Sequence, residues 1–155
     1  MSTVWSFSRL SLFEECPRAY YFTYCVEPRL EELPNAYSEY GTLGHALLDE
    51  YAMGFLLAEE LGNEYDKRYL DYVRSKFPPF PKGYAEKAYN SGLEYFKNFT
   101  GYGEQYEIVS SEQKFTTEIA GHKFTGIVDL ILKDKATGGF IVVDHKSKSL
   151  SRMKA

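Results

Sequence analysis

Two apolar, β-branched segments near the end of the sequence carry charged residues that could do chemistry together. Asp129 lies in the first segment, and Asp144 and Lys146 lie in the second. Because side chains alternate faces along a strand, we expect Asp144 and Lys146 to point one way and His145 the other. Two carboxylates at the ends of adjacent strands repel each other unless a cation lies between them, and hard divalent ions take oxygen ligands. The spacing therefore predicts a Mg²⁺ or Mn²⁺ site, beside which a lysine can orient a water or neutralise charge on a phosphate.

Three strands are expected to position these groups. From Tyr106 the sequence is rich in strand-forming residues, and a turn at Ala120–His122 separates a first strand, containing Glu112, from a second, containing Asp129. A further glycine-containing turn leads into a third strand that ends at Lys146. The sequence thus predicts a three-stranded catalytic sheet over this interval.

The region before the sheet, residues 1–105, is predicted to be mainly helical. Short helices are expected to begin near Ser8 and at Pro17, since serine caps helix N-termini and proline is favoured in the first turn. Gly62-Asn63 is interpreted as a helix stop, and Tyr84–Phe99 as a later amphipathic helix. We therefore expect a single α/β domain in which helices precede a mixed sheet.

His45 is the helical residue best suited to join the predicted site. Gly41 opens a strong helical pattern with His45 in its first turn, and Asp49 shares its face four residues later. A carboxylate there could orient the imidazole, as carboxylates orient metal-bound histidines. A single helical histidine is more often structural than a metal ligand, so the pattern alone leaves both roles open.

Composition narrows the classes of protein to be considered. The formal charge of −4 argues against a generally basic nucleic-acid-binding surface, although a local basic cluster follows the predicted site. The cluster consists of Lys146, Lys148, Arg152 and Lys154. Two cysteines are too few for a disulfide framework, and no stretch approaches the roughly 20 apolar residues of a membrane helix. We expect a reduced, soluble, cytoplasmic protein with no membrane partner.

The ordered set of motifs resembles the PD-(D/E)XK nuclease superfamily, and in particular its RecB-like branch. In chain order the motifs are Ser6-x-Ser8, Cys16-Pro17, Gly41-x-x-x-His45, Glu112, Gly126-x-x-Asp129 and Asp144-x-Lys146-Ser147. The branch includes the AddB C-terminal nuclease and the CRISPR-associated and phage RecB-like exonucleases. The resemblance implies a restriction-endonuclease-like α/β fold and metal-dependent hydrolysis of DNA.

The same resemblance implies a role for each motif residue. The implied ligands of Mg²⁺ or Mn²⁺ are His45, Asp129, Asp144 and the backbone carbonyl of His145. The implied catalytic residues are Asp129, Asp144, Lys146 and Glu112. In this arrangement Lys146 positions the attacking water and Glu112 supports the site. The residues expected to bind nucleic acid are Lys148, Arg152 and Lys154.

Two features depart from the family pattern. Many relatives hold an iron–sulfur cluster through one N-terminal and three C-terminal cysteines, but only Cys16 has a counterpart here, so no cluster is expected from this chain alone. Cys16 is instead interpreted as a small buried residue before Pro17. RecB-like nucleases also continue past the lysine with a helix and a further strand, whereas residues 147–155 can only begin that helix. We therefore expect either a truncated chain or a fold completed by a second chain.

The motifs favour one function and leave two others open. The first is a metal-dependent DNA nuclease, specifically a RecB-like exonuclease of recombination, repair or phage DNA processing. The second is a catalytically inactive nuclease-fold module that binds DNA or a helicase or nuclease partner. The third is a metal-dependent enzyme that acts on another polyphosphate substrate.

Overall fold

A computed structural model describes residues 4–28 and 33–147, and within them it confirms the α/β fold. The described helices are α1 (Phe7–Glu15), α2 (Pro17–Tyr24), α3 (Ala36–Ala52), α4 (Leu61–Tyr69) and α5 (Tyr84–Lys97), and a short π-helical turn, Leu70–Arg74, extends α4. The strands are β1 (Tyr106–Ile119), β2 (His122–Asp134) and β3 (Phe140–Val143), which form one sheet in the order β1-β2-β3. None of the described helices combines the length and apolar character needed to cross a membrane.

The chain divides into two compact units. Unit 1 comprises Met1–Leu33 and Gln113–Val128, and unit 2 comprises Pro34–Glu112 and Asp129–Ala155. Unit 1 therefore holds α1, α2 and the turn end of the β1–β2 hairpin. Unit 2 holds α3, α4 and α5, the remaining parts of β1 and β2, and β3.

The two helices of unit 1 begin where the sequence predicts. Ser6 caps α1 by accepting a hydrogen bond from the Arg9 N–H, and Pro17 occupies the first turn of α2. Cys16 caps α2, because its Sγ accepts a hydrogen bond from the Ala19 N–H at 3.4 Å. Cys16 is exposed, so the expectation that it is buried is wrong. Its sulfur serves the junction between two helices rather than the core.

Trp5 joins the N-terminal segment of unit 1 to the hairpin. Its N–H donates to the Lys123 carbonyl at 2.8 Å, and its own carbonyl accepts from the Thr125 N–H at 2.9 Å. The indole ring stacks on Tyr20, which also contacts Phe13 edge to face. Aromatic packing and two backbone hydrogen bonds therefore hold this segment in place.

A two-residue turn closes the hairpin of β1 and β2, as predicted. Ala120 has a φ of 51° and Gly121 a φ of 79°. Two successive positive φ angles define a type I′ turn, whose twist matches that of the flanking strands. Glycine adopts this conformation freely, whereas alanine does so at a cost.

The core of unit 2 is helical and rich in tyrosine. Leu43 and Leu47 of α3, Tyr65 of α4 and Phe96 of α5 are almost completely buried. Burial of this much apolar and aromatic surface is the main stabilising contribution to the unit. Tyr65 also donates a hydrogen bond to the Tyr89 carbonyl, which satisfies its buried hydroxyl.

Gly62 lies inside α4, so its interpretation as a helix stop is wrong. A Cβ atom at Gly62 would lie 2.7 Å from the Cγ of Lys97 on α5. The absence of a side chain lets the two helices approach closely at this point. Tertiary packing here outweighs the local tendency of glycine to end a helix.

In unit 2, β2 pairs with β3 in the antiparallel direction, with Leu130 opposite Val143. The third strand ends at Val143, so the expectation that it reaches Lys146 is corrected. The strand ends here because, two residues after Val143, the His145 N–H donates to the carboxylate of Asp129 at 2.7 Å. A side-chain acceptor thus takes a backbone donor that a continuing strand would use.

Candidate metal centre

Helix α3 carries the histidine of the site. Asn35 caps the helix by accepting a hydrogen bond from the Ser38 N–H, while the Ser38 hydroxyl accepts one from the Asn35 N–H. This capping box starts the helix at Ala36, so His45 lies in the middle of α3. The prediction that the helix opens at Gly41, with His45 in its first turn, is wrong. The His45 side chain is 34% exposed. It is therefore held on a rigid element but remains accessible.

Three side chains bring potential metal ligands together. Nδ1 of His45 lies 3.4 Å from Oε1 of Glu112 and 3.8 Å from Oδ2 of Asp129. One ligand atom from each of the three residues lies within 4.8 Å of the others. The Asp129 side chain is only 13% exposed. Among the described residues, the ion pairs of Glu112 and Asp129 are both with His45.

The other ring nitrogen of His45 defines its protonation. Nε2 lies 3.1 Å from the carbonyl oxygen of His145, which can only accept a hydrogen bond, so Nε2 carries a proton. In the neutral imidazole, Nδ1 then directs its lone pair at the carboxylates of Glu112 and Asp129. A lone pair facing two negative groups is unfavourable until a proton or a metal cation comes between them. This is the form in which a histidine binds a metal through Nδ1.

The backbone of His145 contacts two members of this group. Its N–H donates to Oδ2 of Asp129 and its carbonyl accepts from His45, so one residue fixes both side chains. The carbonyl lies against the imidazole ring in this arrangement. Its role as a backbone metal ligand, which the resemblance implies, stays a prediction.

Asp144 and Lys146 lie together, apart from the three-residue group. Lys146 Nζ donates to Oδ1 of Asp144 at 2.6 Å, and the two side chains are 52% and 61% exposed respectively. Asp144 and Lys146 share one side, as predicted, and the His145 ring lies against Tyr102. The ligand role of Asp144 and the water-positioning role of Lys146 stay predictions.

Tyr102 is a neighbour of the site that the sequence reasoning missed. Its hydroxyl lies 3.3 Å from Nε2 of His145. Burial lowers the pKa of His145, a shift that the nearby Asp129 carboxylate partly opposes, and burial raises the pKa of Tyr102. Gly101 and Gly103 flank the tyrosine with φ angles of 89° and 94°. A tyrosine between two glycines was the available sign of a tight turn that directs one side chain inward.

Asp49 does not orient His45, contrary to expectation. Its Oδ1 accepts a hydrogen bond from the Ser111 hydroxyl at 2.5 Å. The same hydroxyl lies 3.3 Å from the carbonyl oxygen of Asp129. The carbonyl of His145 fills the orienting role instead. Ser111, which sequence reasoning also missed, thereby connects α3 with both long strands.

The predicted nucleic-acid-binding residues Lys148, Arg152 and Lys154 lie outside the described residues. A sequence profile of the PD-(D/E)XK nuclease superfamily matches residues 4–155. The match includes these three basic residues and the three potential metal ligands His45, Glu112 and Asp129, here called the metal group. Comparison with curated proteins and with solved structures gave no significant match.

Proposed function

Because this chain belongs to the PD-(D/E)XK nuclease superfamily, we propose that it hydrolyses phosphodiester bonds in DNA with a bound divalent cation. The observation that carries the proposal is the convergence of His45, Glu112 and Asp129 from one helix and two strands. We propose further, from the order of the motifs, that it is a RecB-like exonuclease of recombination, repair or phage DNA processing. Mg²⁺ or Mn²⁺ is the proposed cofactor.

The donor set of the three-residue group fits such an ion. Two carboxylate oxygens and one imidazole nitrogen suit Mn²⁺, and carboxylate oxygens with water suit Mg²⁺. His45 Nδ1 lies 3.4 Å and 3.8 Å from oxygens of the two carboxylates, and a cation among these atoms would relieve their repulsion. His45, Glu112 and Asp129 would hold the ion, and Asp144 is the proposed further ligand.

Each protein group then has a separate task in hydrolysis. A cation held by His45, Glu112 and Asp129 would supply Lewis acidity for hydrolysis. The His145 N–H keeps Asp129 in one orientation, and the His145 carbonyl keeps the proton of His45 on Nε2. Lys146 is a flexible, solvent-accessible cation that can orient the attacking water and balance charge that develops on the phosphate.

A cleavage assay tests the proposal. End-labelled single-stranded and double-stranded DNA are incubated with the protein in Mg²⁺, in Mn²⁺ and in chelator. We expect cleavage only with a metal, and loss of cleavage in Asp129→Ala and Lys146→Ala. Lys67→Ala is the matched control, since Lys67 also forms an exposed 2.6 Å ion pair with a carboxylate but lies on α4. Release of mononucleotides from one end would support an exonuclease, and internal fragments would contradict it.

The alternative function is an inactive nuclease-fold module. It is favoured by one observation, the engagement of Asp144 with Lys146 and not with the three-residue group. Metal-dependent cleavage by the wild-type protein would exclude it. DNA binding without cleavage under every condition would support it.

The RecB-like assignment also carries proposals about context. A helicase or a recombination protein is the expected partner, and the cytoplasm is the expected location. Both exposed cysteines, Cys16 and Cys25, are free, which fits a reducing compartment. Stimulation of cleavage by a purified helicase would test the partner.

A further inference from the structure

Two consecutive residues of β1 contact the same helix. The Ser111 hydroxyl donates to Asp49 of α3, and the next residue, Glu112, lies 3.4 Å from His45 of the same helix. Asp49 and His45 are one helical turn apart, so both lie on one face of α3. In a regular strand, however, neighbouring side chains point to opposite faces of the sheet. The alternation is therefore broken at this point.

The backbone of Glu112 explains the break. Its φ is 47°, in the left-handed region that a non-glycine residue rarely adopts. An extended conformation at Glu112 would direct its carboxylate away from the face on which Ser111 meets α3. The left-handed conformation brings both side chains to the helix. It carries an energetic cost, so surrounding contacts must hold it.

The bond between Ser111 and Asp49 is the contact suited to this task. A serine hydroxyl has one proton to donate. The Ser111 oxygen lies 2.5 Å from the Asp49 carboxylate and 3.3 Å from the Asp129 carbonyl oxygen, so the hydroxyl donates its hydrogen bond to Asp49. Hydrogen bonds to an ionised acceptor are among the strongest in proteins. This one fixes β1 to α3 immediately before the left-handed residue.

We propose that Asp49 and Ser111 are a positioning pair that holds Glu112 in its left-handed conformation and thereby completes the metal group. The inference rests on the proposed function in so far as that group binds a cation. Neither residue of the pair belongs to the three-residue group of potential ligands. Both act through Glu112, which the pair keeps beside His45 and Asp129.

Two measurements on the 155-residue chain test the pair. The first is Mn²⁺ affinity by calorimetry. The second is the three-bond coupling between the amide and α protons of residue 112 in the metal-free protein, which reports its φ angle. Ser111→Ala and Asp49→Ala should each weaken Mn²⁺ binding about 10–100-fold, the range found when an orienting partner of a metal ligand is lost. Both should move the coupling of Glu112 toward the value of an extended residue.

Conservative and control variants separate positioning from general damage. Ser111→Thr keeps the hydroxyl and should restore both readouts. Asp66→Ala is the matched control, because Asp66 accepts a 2.5 Å hydrogen bond from the Tyr89 hydroxyl away from the site and should change neither. If Asp49→Ala fails to fold, Asp49→Asn, which keeps an acceptor oxygen, gives a smaller shift in the same direction.

The outcomes distinguish this inference from the proposed function. Wild-type Mn²⁺ affinity together with an unchanged coupling at Glu112 in Ser111→Ala would overturn the positioning pair. Failure of the wild-type protein to bind Mn²⁺ or to cleave DNA would instead overturn the proposed function. The coupling at Glu112, measured without metal, would then still decide whether the pair holds this residue.

Discussion

The predicted catalytic residues fall into two groups that are held in different ways. His45, Glu112 and Asp129 come from α3, β1 and β2, and the backbone of His145 fixes two of them, since its N–H donates to Asp129 and its carbonyl accepts from His45. Asp144 and Lys146 follow β3 in irregular chain, are mostly exposed and bond to each other. The first group is fixed before any metal arrives, whereas the second is free to rearrange. We infer that the first supplies most of the metal affinity, to which Asp144 adds, and that Lys146 of the second contributes to turnover.

The energetic difference between the groups points the same way. An exposed ion pair such as that of Asp144 and Lys146 contributes about 0–1 kcal/mol to stability, so little opposes its separation. The first group gathers like charges and includes the left-handed Glu112, both of which cost free energy in the folded protein. Arrangements that cost stability are typical of functional sites.

The largest effect is expected at Asp129, the less exposed carboxylate of the fixed group. Asp129→Ala removes a proposed ligand and the acceptor of the His145 N–H, so cleavage should fall by about 10³-fold or more. Mn²⁺ affinity, measured by calorimetry, should fall with it. Loss of cleavage with unchanged Mn²⁺ affinity would contradict the assignment of Asp129 to metal binding.

A smaller and more selective effect is expected in the exposed pair. Lys146→Ala should lower kcat by about 10²-fold, since it removes the group proposed to orient the attacking water and to balance charge on the phosphate. Mn²⁺ affinity should stay within threefold or so of the wild-type value, because the fixed group is intact. Lys67→Ala should change neither quantity. Equal losses of affinity and turnover in Lys146→Ala would erase the distinction between the two groups.

The strain in the fixed group can be measured through stability. Glu112→Ala and Glu112→Gly both remove the carboxylate, but glycine accepts a φ of 47° without cost. Urea unfolding should therefore show Glu112→Gly to be more stable than Glu112→Ala by about 1 kcal/mol. Ala120→Gly, at a φ of 51° in the hairpin turn, should be stabilising to a similar degree. Equal stability of the two Glu112 variants would indicate that the strain is absent.

The smallest effect concerns the helical core, which should be independent of both groups. The Tyr69 hydroxyl is buried and has no hydrogen-bond partner among the described residues. Tyr69→Phe should therefore raise the free energy of unfolding by up to about 1 kcal/mol and leave Mn²⁺ affinity unchanged. A loss of stability would reveal a partner for the hydroxyl.

The same tyrosine predicts a pH dependence. Burial raises the pKa of Tyr69 from 10.0 to about 12. The native state then keeps a proton that the unfolded state loses, so stability should fall as the pH rises between these two values. Unfolding of Tyr69→Phe should be less sensitive over this range. An unchanged alkaline slope would assign the effect to other tyrosines.

The sequence predicted the members of the site better than their contacts. His45 was predicted from helical spacing and motif order, although its partner His145 lies 100 residues later. Ser111 gives no comparable signal, because serine is a common surface residue, and the glycines that flank Tyr102 indicate a turn but not which residues it contacts. The left-handed backbone of Glu112 was likewise hidden, since glutamate does not favour that conformation.

Local rules failed where tertiary packing decided the outcome. The sequence predicts that Gly62 ends a helix, yet Gly62 lies within α4, where the absence of a side chain lets Lys97 of α5 approach closely. Cys16 was expected in the core, yet it caps a helix at the surface. The apolar pattern predicts a third strand that reaches Lys146. It carries no sign that the Asp129 carboxylate accepts the hydrogen bond of the His145 N–H, which ends the strand early. Each error concerns a contact between distant residues or a competition for one hydrogen bond.

The position of Trp5 makes unit 1 visible by itself in fluorescence. The chain contains one tryptophan, and this residue belongs to unit 1, where its ring stacks on Tyr20. The helical signal in circular dichroism, by contrast, comes largely from α3, α4 and α5 of unit 2. Unfolding followed by both signals at once therefore records the two units separately. Each variant described above can be assigned to the unit whose transition it moves.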